Sequence, residues 1–174
     1  MRYLLAISAV ALAAAATLTL VAPGASGTEH CVAHVVGQTA DGELQLSEPV
    51  CIVGDDDDRA ALVANSISAI DAELASTGIT TGIRLSGSVL GTHYDGVYSG
   101  NSITVTGTGS CSGGWINLSA YWSNRVSSTI NGVCTRVKHH DHANKGGSYQ
   151  STWGWGGALS YMNNRANSIS YEMA

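Results

Sequence analysis

Phenylalanine is missing from all 174 residues, and proline occurs only twice. Aromatic packing must therefore come from four Trp and seven Tyr, whose N–H and O–H groups need partners when buried. Basic residues are scarce as well: eight Lys and Arg face thirteen Asp and Glu, a formal charge of −5. Removal of Arg2 with a leader takes this to −6, that is −5 minus one. An acidic, lysine-poor chain argues against nucleic acid as a partner and against adsorption on an anionic membrane. No Cys-x-x-Cys pair is present, which removes the usual zinc–thiolate spacing. No Gly-x-Ser-x-Gly elbow is present, and Glu is rare, so neither a hydrolase serine nor a glycosidase carboxylate pair stands out. With every cysteine able to pair, a cysteine nucleophile has no basis. The expectation is a protein that is not an enzyme.

What is there begins with an export signal. Arg2 precedes an Ala- and Leu-rich run from Tyr3 to Val21, and Ala22-Pro23-Gly24-Ala25-Ser26-Gly27 follows. Together they read as a secretory signal over 1–27, cleaved after Gly27 with Ala25 as the alternative. A membrane anchor is disfavoured, because the run is barely long enough to span and no basic stop-transfer cluster follows it. The expected localisation is secreted. In an oxidising compartment, Cys31, Cys51, Cys111 and Cys134 are expected to form two disulfides. Of three connectivities, Cys31–Cys51 with Cys111–Cys134 is favoured, since each closes a loop within one segment and contributes ~3 kcal/mol.

Residues 28–84 predict a disulfide hairpin and an amphipathic helix. Cys31 to Gly37 reads as a strand, and Leu44–Leu46 with Pro49–Val53 as its return. The run Asp55-Asp56-Asp57-Asp58 precedes apolar positions at Leu62, Val63, Ile67, Ile70 and Leu74, with Gly78 beyond them. That is helix spacing, with acidic residues at the N-terminus and a glycine stop. A calcium loop would need alternating ligands, a central Gly and a closing Glu, so the helix start is preferred.

From residue 85 to 174, short runs separated by Gly, Ser, Thr and Asn predict an all-β domain. Strands are expected around Ile83–Leu85, Ser88–Leu90, Ser102–Thr106, Trp115–Leu118, Cys134–Lys138 and Ser168–Tyr171. Alternation at Ser102–Thr106 places Ile103 and Val105 inside and the hydroxyl residues in water. This domain is written twice, at about 88–131 and 134–173. Asn124-Arg125-Val126-Ser127-Ser128 answers Asn164-Arg165-Ala166-Asn167-Ser168, each after a Trp or Met two residues earlier. Upstream, His93 through Gly100 answers His140 through Gly147, aligning His93 with His140, Tyr98 with Lys145 and Gly100 with Gly147. Neither half can bury its apolar face alone, so the two must share a core.

These paired texts resemble the βγ-crystallin superfamily, whose motif carries aromatic-x-x-x-x-aromatic-x-Gly followed by Asn/Asp-Asn/Asp-x-x-Ser/Thr-Ser. Trp122-Ser123-Asn124-Arg125-Val126-Ser127-Ser128 further resembles the signature of secreted actinobacterial proteins of peptidase inhibitor family I36. The resemblance covers the C-terminal half. It implies a mainly β, double Greek-key sandwich preceded by the hairpin-plus-helix segment. It also implies calcium between each Asn/Ser loop and a hairpin, with Asn124, Ser127, Asn164 and Asn167 as oxygen donors. Asp95 and Asp141 are the hairpin candidates. Ser123 and Asn167 depart from the motif and neither loop holds a carboxylate, so binding would be weak, on the order of 10⁻⁴–10⁻³ M. The alternative is that these side chains only close their loops on the backbone.

Lys138-His139-His140-Asp141-His142 has the donors for a transition metal, but His140 is already taken by the repeat. Trp153-Gly154-Trp155 could stack on a glycan or anchor a partner; one Trp filling the core is the preferred alternative. The expected function is a secreted, non-enzymatic, monomeric inhibitor of an extracellular protease, with the 107–114 loop fixed by Cys111 as its presenting element. The alternatives are a calcium-stabilised structural or stress module, and a carbohydrate-binding or antifungal toxin-like protein.

Overall fold

Cys31 and Cys51 lie directly opposite one another and are disulfide-bonded, pinning the hairpin that opens the chain. The computed structural model describes residues 27–76, 87–111 and 113–173. All of the expected signal but Gly27, the expected Gly78 stop and the expected 83–85 strand lie outside the described residues. The hairpin comprises β1 (Thr28–Gln38), β2 (Leu44–Leu46) and β3 (Val50–Gly54). Helix α1 (Asp56–Ser76) follows. Asp55 caps it, its Oδ1 accepting from the backbone N–H of Asp57 and Asp58 at 2.9 and 3.0 Å. The acidic run is thus a helix start, as its placement predicts.

The repeated half contains β4 (Gly87–Tyr94), β5 (Ser102–Thr108), β6 (Gly114–Asn117) and β7 (Ser128–Asn131). Its second copy contains β8 (Arg136–His140), β9 (Tyr149–Trp153), β10 (Gly156–Ala158) and β11 (Ser168–Glu172). One continuous path runs β2-β1-β5-β4-β7-β10-β9-β8-β11-β6, with β3 off this path and paired with β1. A bridge between Glu43 and Trp115 brings the β2 end back towards β6 and nearly closes the sheet. Within this path the halves exchange their third strands. β10 pairs with β7 of the first half, and β6 pairs with β11 of the second. Neither half completes a four-strand group without the other, so the shared core that the repeat requires is built into the hydrogen bonding.

Two apolar clusters fill the interior. One gathers Leu90, Val105, Ile116, Val137, Ile169 and Tyr171 around the Cys111–Cys134 disulfide. The other packs Trp122, Val126, Leu159, Met162 and Ala166. Both disulfides have the favoured connectivity. No helix among the described residues is long and apolar enough to cross a membrane.

Two expectations are corrected. Ser102, Thr104 and Thr106 do not face water; all three are buried. The reason is that β1 pairs in parallel with β5, and α1 packs over β1, β3, β4 and β5. That covered face is polar and internally satisfied: His30 Nδ1 lies 2.8 Å from Ser102 Oγ, His34 Nδ1 2.6 Å from Thr106 Oγ1, and Thr92 Oγ1 3.0 Å from Thr104 Oγ1. The second correction concerns the repeat. Ser127 N–H donates to Tyr94 O, and Asn167 N–H donates to His140 O. Tyr94 therefore matches His140 and His93 matches His139, one residue off the expected alignment. The second hairpin carries one extra residue before Lys145, which restores Tyr98 to Lys145 and Gly100 to Gly147.

Candidate functional site

The Asn/Ser loops cross and hold one another. Asn124 N–H donates to Ala166 O at 2.8 Å, and Asn164 N–H donates to Val126 O at 3.0 Å, a reciprocal pair. Both asparagines have positive φ, 59° and 55°, a conformation Asn tolerates better than other side-chain-bearing residues. Each loop then meets the hairpin of its own half. Ser128 Oγ donates to Gly96 O and accepts from Tyr98 N–H, both at 2.8 Å; Ser168 Oγ donates to His142 O at 2.7 Å and accepts from Lys145 N–H at 3.0 Å. Tyr98 and Lys145 share a left-handed backbone, and Gly100 and Gly147 have φ of 80° and 73°. A Cβ on either glycine would run into the carboxylate of Asp95 or Asp141. The residues singled out from the sequence are thus assembled into two matching clusters.

The clusters differ in chemistry. In the first, Ser127 Oγ lies 2.9 Å from Asp95 O and 3.1 Å from Asn164 Oδ1. Three oxygens converge there with a single hydroxyl proton between them, an arrangement that suits a hard cation. The Asp95 carboxylate accepts from Asn101 Nδ2 at 3.0 Å. In the second cluster the matching position is Asn167. Its Nδ2 donates to Asp141 O at 2.8 Å, with Arg165 O and Asn124 Oδ1 each at 3.1 Å. An amide nitrogen sits where the oxygens converge, so the residues present do not fit a cation there. The Asp141 carboxylate is also engaged, by His142 Nδ1 at 2.8 Å and Arg165 at 3.3 Å. The His142 hydrogen bond holds Asp141 below the usual carboxylate range.

The histidine run does not make a metal site. His139 points into the core, His140 Nε2 lies 2.9 Å from Ser170 Oγ, and His142 pairs with Asp141 beyond the strand. The His/Cys/Asp/Glu group found among the described residues is Glu29, Cys31 and Cys51, whose sulfurs are bonded to each other and offer no thiolate.

The aromatic turn also departs from expectation. Neither Trp fills the core: Trp153 is 54% exposed and Trp155 91%. Trp155 projects from the turn joining β9 to β10, and its carbonyl accepts from Asn131 N–H at 3.1 Å. Gly154 N–H donates to Thr135 O at 2.9 Å. Gly156 has φ of +115°, and a Cβ there would collide with the β7 backbone at Thr129 and Ile130. The turn's backbone is therefore held at both ends while its Trp155 side chain stands exposed. Alongside it on β9, Tyr149 and Trp153 share the outer face, with Lys138 Nζ 5.1 Å and the Arg136 guanidinium 5.0 Å from their ring centres. Glu172 ion-pairs with both cations. The expected 107–114 loop is less prominent. Cys111 is buried and Ser88 Oγ ties down Gly109 O at 2.6 Å; residue 112 lies outside the described residues.

Sequence reasoning missed the outer row of Tyr149, Arg136, Lys138 and Glu172. Only strict alternation in β8 could have flagged it, by sending Arg136 and Lys138 outward and Val137 and His139 inward. Comparison with protein-family models, with curated proteins and with solved structures gave no match.

Proposed function

We propose that this chain is a secreted, non-enzymatic binding protein with a βγ-crystallin-like double Greek key, and that it engages an extracellular partner through the β9–β10 turn. The exchange of third strands between the halves supports the architecture, as does the repeated fastening of an Asn/Ser loop onto a hairpin. The observation that carries the binding role is Trp155, almost wholly exposed on a turn whose backbone is hydrogen-bonded to its neighbours. A preordered backbone lowers the entropy lost on docking, and an exposed Trp is a common anchor.

The resemblance of Trp122–Ser128 to inhibitor family I36 makes a secreted peptidase the first partner class. Inhibition assays against secreted metallo- and serine peptidases test this, with Trp155→Ala expected to weaken inhibition at least about tenfold. Absence of inhibition at micromolar concentration across the panel overturns it. A glycan is the second reading, favoured by the row of Tyr149 and Trp153 beside Trp155. Glycan-array binding that survives Trp153→Ala and Trp155→Ala together would remove that reading.

Calcium enters this proposal at the first loop only, held by Ser127, Asn164 and the Asp95 carbonyl, and it would act by stabilising the fold.

A further inference from the structure

A cavity apart from the loops and the aromatic turn lies on the seam where the N-terminal hairpin meets the repeated domain. It sits beneath the β2–β3 connection and has a volume of about 420 Å³, within the usual range for small-molecule sites. Its walls are mostly apolar: the Cys31–Cys51 disulfide, Leu46, Ile103 and Trp122 are among them. Two carboxylates, Glu29 and Glu48, also line it, and among the described residues no Lys, Arg or His does. A Glu29 carboxylate oxygen lies within 4.8 Å of both disulfide sulfurs, so this acid stands over the apolar floor. Among the described residues neither glutamate side chain has an ion pair or a hydrogen-bond partner. The nearby Arg125 lies over the Tyr121 ring, 4.5 Å from its centre, and is not part of the lining.

We propose that this cavity binds a small hydrophobic amine, with the apolar body against Leu46, Ile103 and Trp122 and the ammonium facing Glu29 and Glu48. Burying an apolar chain supplies the affinity, at about fourfold per methylene. The unpaired carboxylates supply the sign selection, because they attract a cation and repel a carboxylate. A partner's apolar side chain or a fatty acid would fill the same volume and leave the two acids unmatched.

The test uses the full chain, with n-decylammonium, n-decanol and n-decanoate as probes below their aggregation limits. Calorimetry is expected to rank ammonium over alcohol over carboxylate, with about tenfold or more between the extremes. Amide shift changes should cluster at residues 29–33, 46–51, 103 and 116–122. Glu29→Gln is expected to narrow the preference to severalfold, and Leu46→Trp, which fills the cavity, to abolish binding with the fold retained. Where Leu46→Trp does not fold, Ser119→Trp at the exposed rim serves the same purpose. Equal binding of the three probes, shifts centred elsewhere, or no binding of the amine overturns the proposal.

Discussion

His93 and His139 meet edge to face in the core, with ring centres 5.6 Å apart and the Thr129 hydroxyl joined to both. Thr129 Oγ1 is 2.9 Å from His93 Nδ1 and 2.7 Å from His139 Nε2, and His93 Nε2 continues to Tyr171 Oη at 2.9 Å. In a chain without Phe, the centre is filled by rings that carry polar atoms, and these are linked through the Thr129 hydroxyl and the Tyr171 hydroxyl. The two histidines occupy equivalent positions in the two halves. This network is where the repeat closes on itself.

Acid should open the fold earlier than its carboxylates would. Burial holds His93 well below the ordinary histidine range, with the adjacent His139 ring adding to the effect. His139 is lowered from 6.5 to about 3, again by burial first. Both histidines are therefore neutral when folded and protonate readily when unfolded. The sign follows: above pH 6.5 neither state takes a proton and stability is flat, whereas below it the unfolded chain gains protons the folded chain refuses. Stability should fall as the pH drops below 6.5, with His139 contributing on the order of 1 kcal/mol per pH unit down to about pH 3 and His93 acting in the same direction. Urea midpoints at pH 7.5, 6 and 5 would show this. His139→Gln should flatten the upper part of the curve, and an unchanged slope in that variant would count against the assignment.

The linking hydroxyl has its own signature. Thr129→Val keeps the shape but leaves ring nitrogens of two buried histidines without a partner, expected to cost about 1–3 kcal/mol. Thr129→Ser retains the hydroxyl and should cost less. If the two variants denature at the same urea concentration, the hydroxyl contributes nothing and the network is only packing.

The disulfides should differ in consequence even though their loops are alike, with separations of 20 and 23 residues. Chain-entropy arguments give each about 3 kcal/mol. Cys111 and Cys134 are both buried within an apolar cluster, while Cys51 lies on an exposed edge strand. Replacing Cys111 and Cys134 by Ser buries hydroxyls as well as releasing the loop, so it should lower Tm more than the same change at Cys31 and Cys51. Thermal denaturation of the two double variants decides the order.

Strands with clear alternation were legible in the sequence; strands defined by a partner were not. Ser102–Thr106 and Trp115–Leu118 read as strands and fold as β5 and β6. Gly156-Gly157-Ala158 has no strand character of its own, and forms β10 because β7 of the other half offers it an edge. The burial of Thr104 likewise depends on α1 and β1, which lie far away in sequence. The Asn/Ser loops were legible because their backbone demands particular residues, such as Asn at positive φ. The one-residue slip between His93 and His140 arose because an extra residue in the second hairpin is invisible until the loop contacts are seen. The Trp153–Trp155 text was legible as a feature, but its exposure depended on how tightly the turn is held against β7.

Asn167 should decide how many cations the protein can take. Its amide nitrogen occupies the second cluster and bonds three oxygens, whereas Ser127 leaves the first cluster with oxygens alone. The native chain should bind one calcium ion at most, and Ser127→Ala should remove it. At about ten times a millimolar dissociation constant, linkage gives about 1.4 kcal/mol, or a few degrees of Tm. Asn167→Ser makes the second cluster resemble the first. Without calcium it should lose about 1–3 kcal/mol, since the amide hydrogen bonds go. With calcium in the millimolar range it should recover much of that loss and titrate with two ions instead of one. Calorimetric stoichiometry and Tm, measured with and without calcium, separate the outcomes. A variant that is destabilised and stays so in calcium would show that the second cluster is a polar fastening with no capacity for a cation. A native chain whose Tm ignores calcium would place the first cluster in that class too.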